Sequence, residues 1–170
     1  MTPRNRTLLM MIVAVAMLAG TIVAKPFPIC IWNSSESVPV GLYRVRSASS
    51  HYVTELVAVQ PYEPLATYLD LYGYLPTGVP MLKRVLALPG QTVCRNGSTI
   101  TVDGIEIGKA RERDRSGRPL PVWEGCDVVG EGELFLMNWQ SATSLDGRYF
   151  GMMPATAIMG RALPVWTWED

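Results

Sequence analysis

A serine and a lysine are the best candidates for catalytic groups, because the residue types that most other catalytic sites use are missing. The single histidine, His51, lies in a polar Ser-rich stretch that predicts an exposed side chain. The chain contains no His-Glu-x-x-His pair, no Cys-x-x-Cys pair and no glycine-rich phosphate loop, so we expect neither a metal nor a cofactor. A serine whose general base is a lysine needs no histidine.

Ser37 and Lys83 lie in the two stretches best suited to such a pair. Ser37 precedes Val38-Pro39, and the proline stiffens the turn that presents the hydroxyl. Lys83 alternates with apolar residues such as Met81 on a predicted strand, which places its amine among apolar side chains. Burial lowers the pKa of a lysine, and a base at neutral pH needs a pKa roughly two to three units below ~10.4. The alternative is a Ser-rich turn and an exposed Lys-Arg pair on an edge strand.

Short strands must position these two groups. The chain has 170 residues with 15 Gly, 13 Pro and hardly any helical period, which indicates one mainly β domain. Asp103-Gly104 lies between alternating apolar and polar residues and predicts a hairpin over Ser98 to Ile107. One short helix is predicted from Leu65 to Tyr72. The other predicted strands are Gly41 to Val45, Glu55 to Val59, Pro80 to Leu88, Leu134 to Met137 and Ala157 to Val165.

An uncharged apolar stretch precedes the domain, at residues 7–24. As a helix it would span ~27 Å, close to the hydrocarbon thickness of a bilayer. Arg4 and Arg6 stand before it, which predicts a cytoplasmic N-terminus and an exported remainder. We therefore expect residues 1–24 to be a cytoplasmic tip and a transmembrane anchor. The alternative is a cleaved secretory signal that ends at Ala24.

The remainder, residues 25–170, is expected to be a periplasmic domain. Pro26 and Pro28 predict a short, stiff stalk at its start. The net charge of the chain is zero at pH 7, which argues against nucleic acid as the main partner. One basic segment, KARERDRSGR at residues 109–118, is interpreted as an ordinary solvated loop. Contact of this segment with lipid headgroups or an acidic partner is the alternative.

Cysteine use agrees with export from the cytoplasm. Cys94 and Cys126 both lie in the exported part, where an oxidising periplasm would let them form a disulfide. Cys30 is left over. Since only His51 could support it as a nucleophile, we predict a buried or membrane-facing thiol.

Three motifs, in this order, resemble the type I signal peptidase family. They are SESVP at residues 35–39, LKRVLALPG at 82–90 and DGRYFG at 146–151. Within that family the chain more closely resembles the conjugative-transfer branch, the TraF-type pilin-maturation peptidases, through SVPVGLY at 37–43 and GYLP at 73–76. The resemblance implies a signal-peptidase-like antiparallel β-sheet catalytic domain, with one N-terminal transmembrane helix that holds it at the inner membrane.

The resemblance also implies roles for the residues that match. Ser37 matches the nucleophile, and Lys83 matches the general base. The backbone N–H of Ser37 and the hydroxyl of Ser35 match the oxyanion hole, which stabilises charge that develops in the transition state. The family usually has Ser-Gly-Ser-Met here, whereas this chain has Glu36 between the serines. We expect the Glu36 carboxylate to repel acidic residues near the scissile bond.

A second group of matches lies near the third motif. Ser144 matches the hydroxyl that orients the lysine amine. Asp146 and Arg148 match a pair that braces the site, and in the transfer branch the aspartate is itself required for activity. Signal peptidases usually have Asp-Ser-Arg where this chain has Gly147 in the middle. Both departures favour the transfer branch.

The expected activity is that of a serine endopeptidase with a Ser37–Lys83 dyad. The expected partner is an extended peptide with small residues at the cleavage site, such as a conjugative pilin precursor. Water or the amino terminus of the same pilin would resolve the acyl-enzyme, and the second route would give a circular product. The alternatives are a general signal peptidase and a non-catalytic anchored component that contacts other conjugation proteins. Cytoplasmic self-cleaving repressors also use such a dyad, but the predicted anchor argues against them.

Overall fold

The structure is a computed structural model that describes residues 3–24 and 30–168, without the side chains of residues 21–24. The helices are α1 (Pro3–Ala24), α2 (Leu65–Leu71) and α3 (Gly147–Phe150). The strands are β1 (Cys30–Asn33), β2 (Val40–Arg46), β3 (Leu56–Val59), β4 (Met81–Ala87), β5 (Thr92–Asn96), β6 (Thr99–Val102), β7 (Ile105–Lys109), β8 (Gly125–Val128), β9 (Glu133–Leu136), β10 (Met153–Pro154) and β11 (Ile158–Trp168).

The strands form two antiparallel sheets, which confirms the predicted mainly β class. The larger sheet has seven strands in the order β1-β2-β11-β3-β4-β9-β10, and the smaller has four in the order β7-β6-β5-β8. The longest strand, β11, pairs with both β2 and β3 and so joins the β1-β2 pair to the rest of the larger sheet. Strand β4, which carries Lys83, lies in the interior of that sheet between β3 and β9.

The predicted hairpin is confirmed as β6 and β7. Asp103 and Gly104 form its two-residue turn, with φ of 49° and 80°. Positive φ at both positions is what the tightest hairpin turns require. The predicted helix and the other predicted strands are also present, with shifted ends. Strands β1, β5, β8 and β10 and helix α3 were not predicted, because each is short and lacks a clear apolar period.

Apolar side chains cover both faces of the larger sheet around β3 and β4. On one face the strands pack against α2, in a cluster that includes Val57, Val59, Leu65, Leu69 and Val85. The other face has a cluster that includes Tyr43, Leu56, Ala58 and Leu82. A third cluster joins the two sheets and includes Val93, Ile100, Phe135 and Met137. Because β4 contributes to all three clusters, its backbone is a rigid support for the residues it carries.

The predicted transmembrane helix is not supported. Among the residues that the structure describes, no helix has the length and apolar character needed to cross a membrane. The predicted stalk prolines, Pro26 and Pro28, lie outside the described residues. Cys30 begins β1 and is exposed, which contradicts a buried thiol, while the membrane-facing thiol stays a prediction.

Candidate active site

Ser37 lies in the loop between β1 and β2, and Asn33 holds the shape of that loop. The Asn33 side-chain amide lies 2.8 Å from the carbonyl oxygen of Ser35, 3.0 Å from that of Val38 and 3.1 Å from that of Pro39. Asn33 is the last residue of β1 and is buried, so the loop folds around a side chain fixed by the sheet. The arrangement keeps the Ser37 hydroxyl at the surface of the domain.

The two serines of this loop are in direct contact. The hydroxyl oxygens of Ser35 and Ser37 are 2.9 Å apart. The Ser35 hydroxyl also donates to Asn33 Oδ1 at 3.1 Å, which leaves its oxygen to accept from Ser37. A role for Ser35 in an oxyanion hole therefore requires its hydroxyl hydrogen to turn from Asn33 toward the bound carbonyl.

Lys83 is buried in the middle of β4, with only 5% of its surface exposed. Its Nζ donates to Ser144 Oγ at 2.8 Å. Burial lowers the pKa of Lys83 to about 8, since the Asp146 charge opposes the cost of desolvation only in part and Arg148 adds to it. A fraction of the amines is thus neutral near pH 7 and able to accept a proton. The structure therefore excludes the exposed Lys-Arg pair considered as an alternative.

The same cavity receives the lysine and the serines. A cavity of about 310 Å³ is lined by Ser35, Ser37, Lys83 and Ser144 together with apolar residues, among them Ile31, Leu75, Met81 and Leu145. The residues predicted as nucleophile, base and orienting hydroxyl thus lie around one space. The apolar lining lowers the local dielectric constant and strengthens the electrostatic interactions of the site.

Asp146 and Arg148 lie behind the lysine as a buried ion pair. Arg148 Nε donates to Asp146 Oδ1 at 2.9 Å, and its Nη2 donates to Oδ2 at 2.9 Å. The guanidinium also donates to the carbonyl oxygens of Ser141 at 2.7 Å and Ser144 at 3.2 Å. It therefore fixes the backbone that carries the Ser144 hydroxyl. Among the described residues Asp146 makes no hydrogen bond to Lys83, and its carboxylate instead accepts from Arg148 and from the Asn138 N–H.

Asn138 connects the ion pair to the lysine strand, and it was not predicted. It is fully buried, its side-chain amide donates to the Leu82 carbonyl at 3.0 Å, and its Oδ1 accepts from the Arg84 N–H at 3.0 Å. Its own N–H donates to Asp146 Oδ2 at 3.1 Å. Asn138 thus holds both neighbours of Lys83 in place. Its position directly after a predicted strand was the only available signal.

Close packing explains why the third motif has a glycine, Gly147, between Asp146 and Arg148. A Cβ at Gly147 would lie 2.6 Å from the Phe135 ring and 2.8 Å from the Leu136 carbonyl oxygen. Helix α3 therefore packs against β9 only with glycine at this position. The Asp146 side chain accepts from the Arg148 N–H at the start of that helix. The departure from Asp-Ser-Arg is thus a packing requirement of this domain.

The remaining candidate residues lie away from this cavity or differ from expectation. Cys94 and Cys126 form a disulfide between β5 and β8 in the smaller sheet. The His51 side chain is only 14% exposed, since Nδ1 lies 2.7 Å from Glu55 Oε2, so the predicted surface position is wrong. The basic loop, predicted to be simply solvated, lines a second cavity with Ser37. Among the described residues no group of His, Cys, Asp and Glu could hold a metal ion.

Comparisons with known proteins identify the family of this chain. The family described as "Signal peptidase, peptidase S26" matches residues 4–168. The chain belongs to this family. It is 36% identical over 149 residues to the conjugal transfer protein TraF of Agrobacterium fabrum, with 81% of this chain and 82% of that protein covered. It is 34% identical over 176 residues to the probable conjugal transfer protein TraF of Sinorhizobium fredii, with 97% and 92% covered. A signal peptidase I structure from Enterococcus faecalis aligns with a TM-score of 0.41 and 18% identity, covering 68% of this chain and 98% of that one.

Proposed function

We propose that this member of the signal peptidase family is a serine endopeptidase that cleaves a conjugative pilin precursor through a Ser37–Lys83 dyad. The observation that carries the proposal is the buried Lys83 amine, with its pKa lowered to about 8, in one cavity with the Ser37 hydroxyl. A lysine placed on the surface for solubility would keep its ordinary pKa. A buried amine without a carboxylate partner fits a general base.

The first step forms an acyl-enzyme. The neutral Lys83 amine takes the proton of Ser37 as Oγ attacks the carbonyl carbon of the scissile bond. The Ser37 N–H and the Ser35 hydroxyl donate to the oxyanion of the tetrahedral intermediate. When the C–N bond breaks, the Lys83 ammonium returns the proton to the leaving amine, and an ester to Ser37 remains. The Ser144 hydroxyl, 2.8 Å from Nζ, orients the amine throughout.

The second step consumes the ester and decides the product. Attack by water gives a linear chain with a new carboxylate, whereas attack by the amino terminus of the same subunit gives a ring. In both cases Lys83 accepts a proton from the attacking group, and Ser37 regains one as the ester breaks. The names of the two relatives support a role of this chain in conjugal transfer, for which a pilin precursor is the proposed substrate.

We further propose that the domain works in the periplasm at the inner membrane. The Cys94–Cys126 disulfide supports an oxidising compartment. The apolar residues 7–24 in α1 are the proposed membrane contact, with large side chains such as Leu8, Met10 and Ile12 exposed on the helix. Extraction of membranes with alkaline carbonate tests this location. Release of the full-length protein into the soluble fraction would contradict the membrane contact.

The decisive experiment is co-expression of a candidate pilin precursor with the wild-type protein, Ser37→Ala or Lys83→Ala, read by intact mass. We expect processing with the wild type and none with either variant. The matched controls are Ser50→Ala and Arg46→Ala, which remove an exposed serine and an exposed cation outside the dyad and should leave processing unchanged. A ring is lighter than the hydrolysed product by one water molecule, so the same spectrum reports the fate of the ester.

Processing that survives in both dyad variants would overturn the proposal and favour a non-catalytic component of the conjugation machinery. A general signal peptidase is the second candidate, favoured by the description of the matching family. Complementation of a strain depleted of its own signal peptidase separates the two. Growth rescued by the wild type but not by Ser37→Ala would show the general activity, and failure to rescue would favour the pilin-specific role.

A further inference from the structure

We propose that the basic loop, residues 109–118, forms a subsite that binds a carboxylate of the peptide beside the scissile bond. The inference rests on the proposed function, since it concerns the substrate of the same site. It assigns a ligand chemistry to the one strongly charged segment that the peptidase mechanism leaves unused. The carboxylate is either an Asp or Glu side chain or the C-terminal carboxylate of the peptide, and both present the same two oxygens.

The loop and the nucleophile share a cavity. A space of about 500 Å³ has Ser35, Glu36 and Ser37 on one side and four arginines on the other, namely Arg111, Arg113, Arg115 and Arg118. The cavity described for Lys83 also includes Ser35 and Ser37 but none of these arginines. Ser37 therefore stands between an apolar space and a basic space. An extended peptide whose carbonyl reaches Ser37 can place residues in both.

The charges in the basic cavity are unbalanced. Its lining contains two carboxylates, Glu36 and Asp114, against the four arginines. Asp114 forms an ion pair with Arg118, whose Nε lies 2.7 Å from Asp114 Oδ2. The Arg111 guanidinium makes no hydrogen bond or ion pair within the described part of the chain, and Arg113 donates only to the Gly117 carbonyl, at 2.8 Å. The guanidinium groups of Arg111 and Arg113 are thus available to bind an anionic ligand.

The loop is fixed before any ligand arrives. Asp114 accepts from the Tyr74 hydroxyl at 2.6 Å and from the backbone N–H groups of Ser116 and Arg118, both at 2.8 Å. The Tyr74 hydrogen bond and these donors hold the pKa of Asp114 well below its ordinary value. Its charge, and with it the turn, persists throughout the neutral range. Such an ordered loop binds with a smaller loss of conformational entropy than a mobile one.

Glu36 shows that a carboxylate beside the nucleophile reaches this loop. Its Oε2 lies 3.4 Å from Arg115 Nη2, and both side chains are well exposed. The arginine also contacts the Thr143 hydroxyl at 3.3 Å. A substrate carboxylate next to the scissile bond occupies comparable space. The expected repulsion of acidic residues by Glu36 is therefore outweighed, and Glu36 acts as an internal competitor for the arginines.

The test measures binding to the full-length Ser37→Ala protein in detergent by fluorescence anisotropy. The probes are rhodamine-labelled alanine peptides with one internal Asp or, as the matched neutral probe, one internal Asn, both amidated at the C-terminus. A third probe has alanine only and a free C-terminal carboxylate, and its amide is the control. We expect at least one acidic probe to bind about threefold or more tightly than its neutral partner, a preference that weakens with salt.

Two sets of variants in the same background locate that preference. Arg111→Gln with Arg113→Gln should abolish it, whereas Arg44→Gln with Arg46→Gln, on the exposed side of β2, should retain it. Glu36→Gln removes the internal competitor and should increase the preference, an effect opposite to that of a damaged fold. The Asp probe and the free-acid probe distinguish the two sources of carboxylate.

Equal binding of acidic and neutral probes, no binding of either up to millimolar concentration, or a preference that survives in the Arg111/Arg113 variant would overturn the subsite. Because the readout is binding to a protein that lacks the nucleophile, it does not depend on the dyad. If the dyad variants still process the pilin but acidic probes bind more tightly, only the peptidase mechanism is contradicted. If processing depends on the dyad but acidic and neutral probes bind equally, only the subsite is contradicted.

Discussion

Two cations are buried in this site and are stabilised in opposite ways. Lys83 on β4 donates to the Ser144 hydroxyl, and within the described part of the chain its amine makes no hydrogen bond or ion pair with a carboxylate. Arg148 on α3 has both oxygens of Asp146 and four backbone carbonyls, those of Lys109, Asn138, Ser141 and Ser144. The lysine is 5% exposed and the arginine 1%, so burial alone does not separate them.

The difference lies in what pairs with the charge. A buried cation with a full set of acceptors stays charged and locks the structure around it, whereas one with a single neutral acceptor loses its proton more easily. Arginine suits the first role because its guanidinium is planar and practically always charged, and lysine suits the second because its pKa responds to burial. The same small volume thus contains a rigid support and the proposed base.

The largest expected effect comes from breaking the ion pair between Asp146 and Arg148. Asp146→Asn leaves Arg148 buried without a counter-charge and turns an amide N–H toward one of its donors. We expect a loss of about 3 to 5 kcal/mol in the free energy of unfolding, measured by urea denaturation. Asp127→Asn, in the exposed strand β8, is the matched control and should change stability little. Unchanged stability of Asp146→Asn would show that the pair is not a structural support.

The buried Lys83 should have a smaller effect on the free energy of unfolding, and that effect should depend on pH. The pKa of Lys83 is about 8 in the folded protein against an ordinary value of 10.5 for a solvated lysine, so above pH 8 the unfolded chain binds more protons than the native one. Stability should therefore rise with pH between about 8 and 10.5, by up to about 3 kcal/mol. Below pH 8 the lysine is protonated in both states and the cost of burying its charge is present in full.

Lys83→Met provides the control for that pH profile. It removes the charge and keeps the volume, so the contribution of Lys83 to the slope above pH 8 should disappear. Near pH 7 the variant should be as stable as the wild type or more so, although pilin processing is lost. Urea denaturation at several pH values measures both proteins. Identical slopes in the two proteins would mean that the lysine is not desolvated in solution.

The smallest effect should come from the hydrogen bond between Lys83 and Ser144, which links the lysine to the backbone held by Arg148. Ser144→Ala removes the acceptor of Lys83 Nζ, and we expect about a tenfold loss of processing rate, because the amine loses its orientation. The hydroxyl oxygen favours the charged amine, so its loss should lower the pKa of Lys83 and move the rising limb of the pH–rate profile to lower pH. Ser144→Thr keeps the hydroxyl and should restore both. A pH profile that does not move would limit Ser144 to a packing role.

Local patterns predicted most of the strands and singled out Ser37 and Lys83 as candidates for the proposed dyad. The turn at Asp103-Gly104 needs only two residues that tolerate positive φ, and the alternation around Lys83 needs only a strand with a buried face. Both are properties of neighbouring residues. Strand β8 could not be predicted in this way, because all four of its residues are exposed and it exists through pairing with β5.

The missed parts of the site have a common physical cause. Asn138 acts by bonding to Leu82 and Arg84, more than fifty positions earlier in the chain. Arg115 reaches Glu36 across a separation of 79 positions. Neither contact leaves a local pattern, because hydrogen bonds between distant segments depend on how the strands are ordered in the sheet. The half-buried position of His51 was missed for a similar reason, since its partner Glu55 also contacts Arg161 on β11, 106 positions later in the chain.

The sequence by itself determined which residues could form a serine–lysine pair, the mainly β class and the hairpin, since these depend on residue type and short-range spacing. Only the tertiary structure decided that Lys83 loses its solvent, that Arg148 keeps a full set of partners and that the basic loop faces Ser37. Desolvation is a property of everything packed around a group. No stretch of neighbouring residues specifies it, and it is what lowers the pKa of the proposed base.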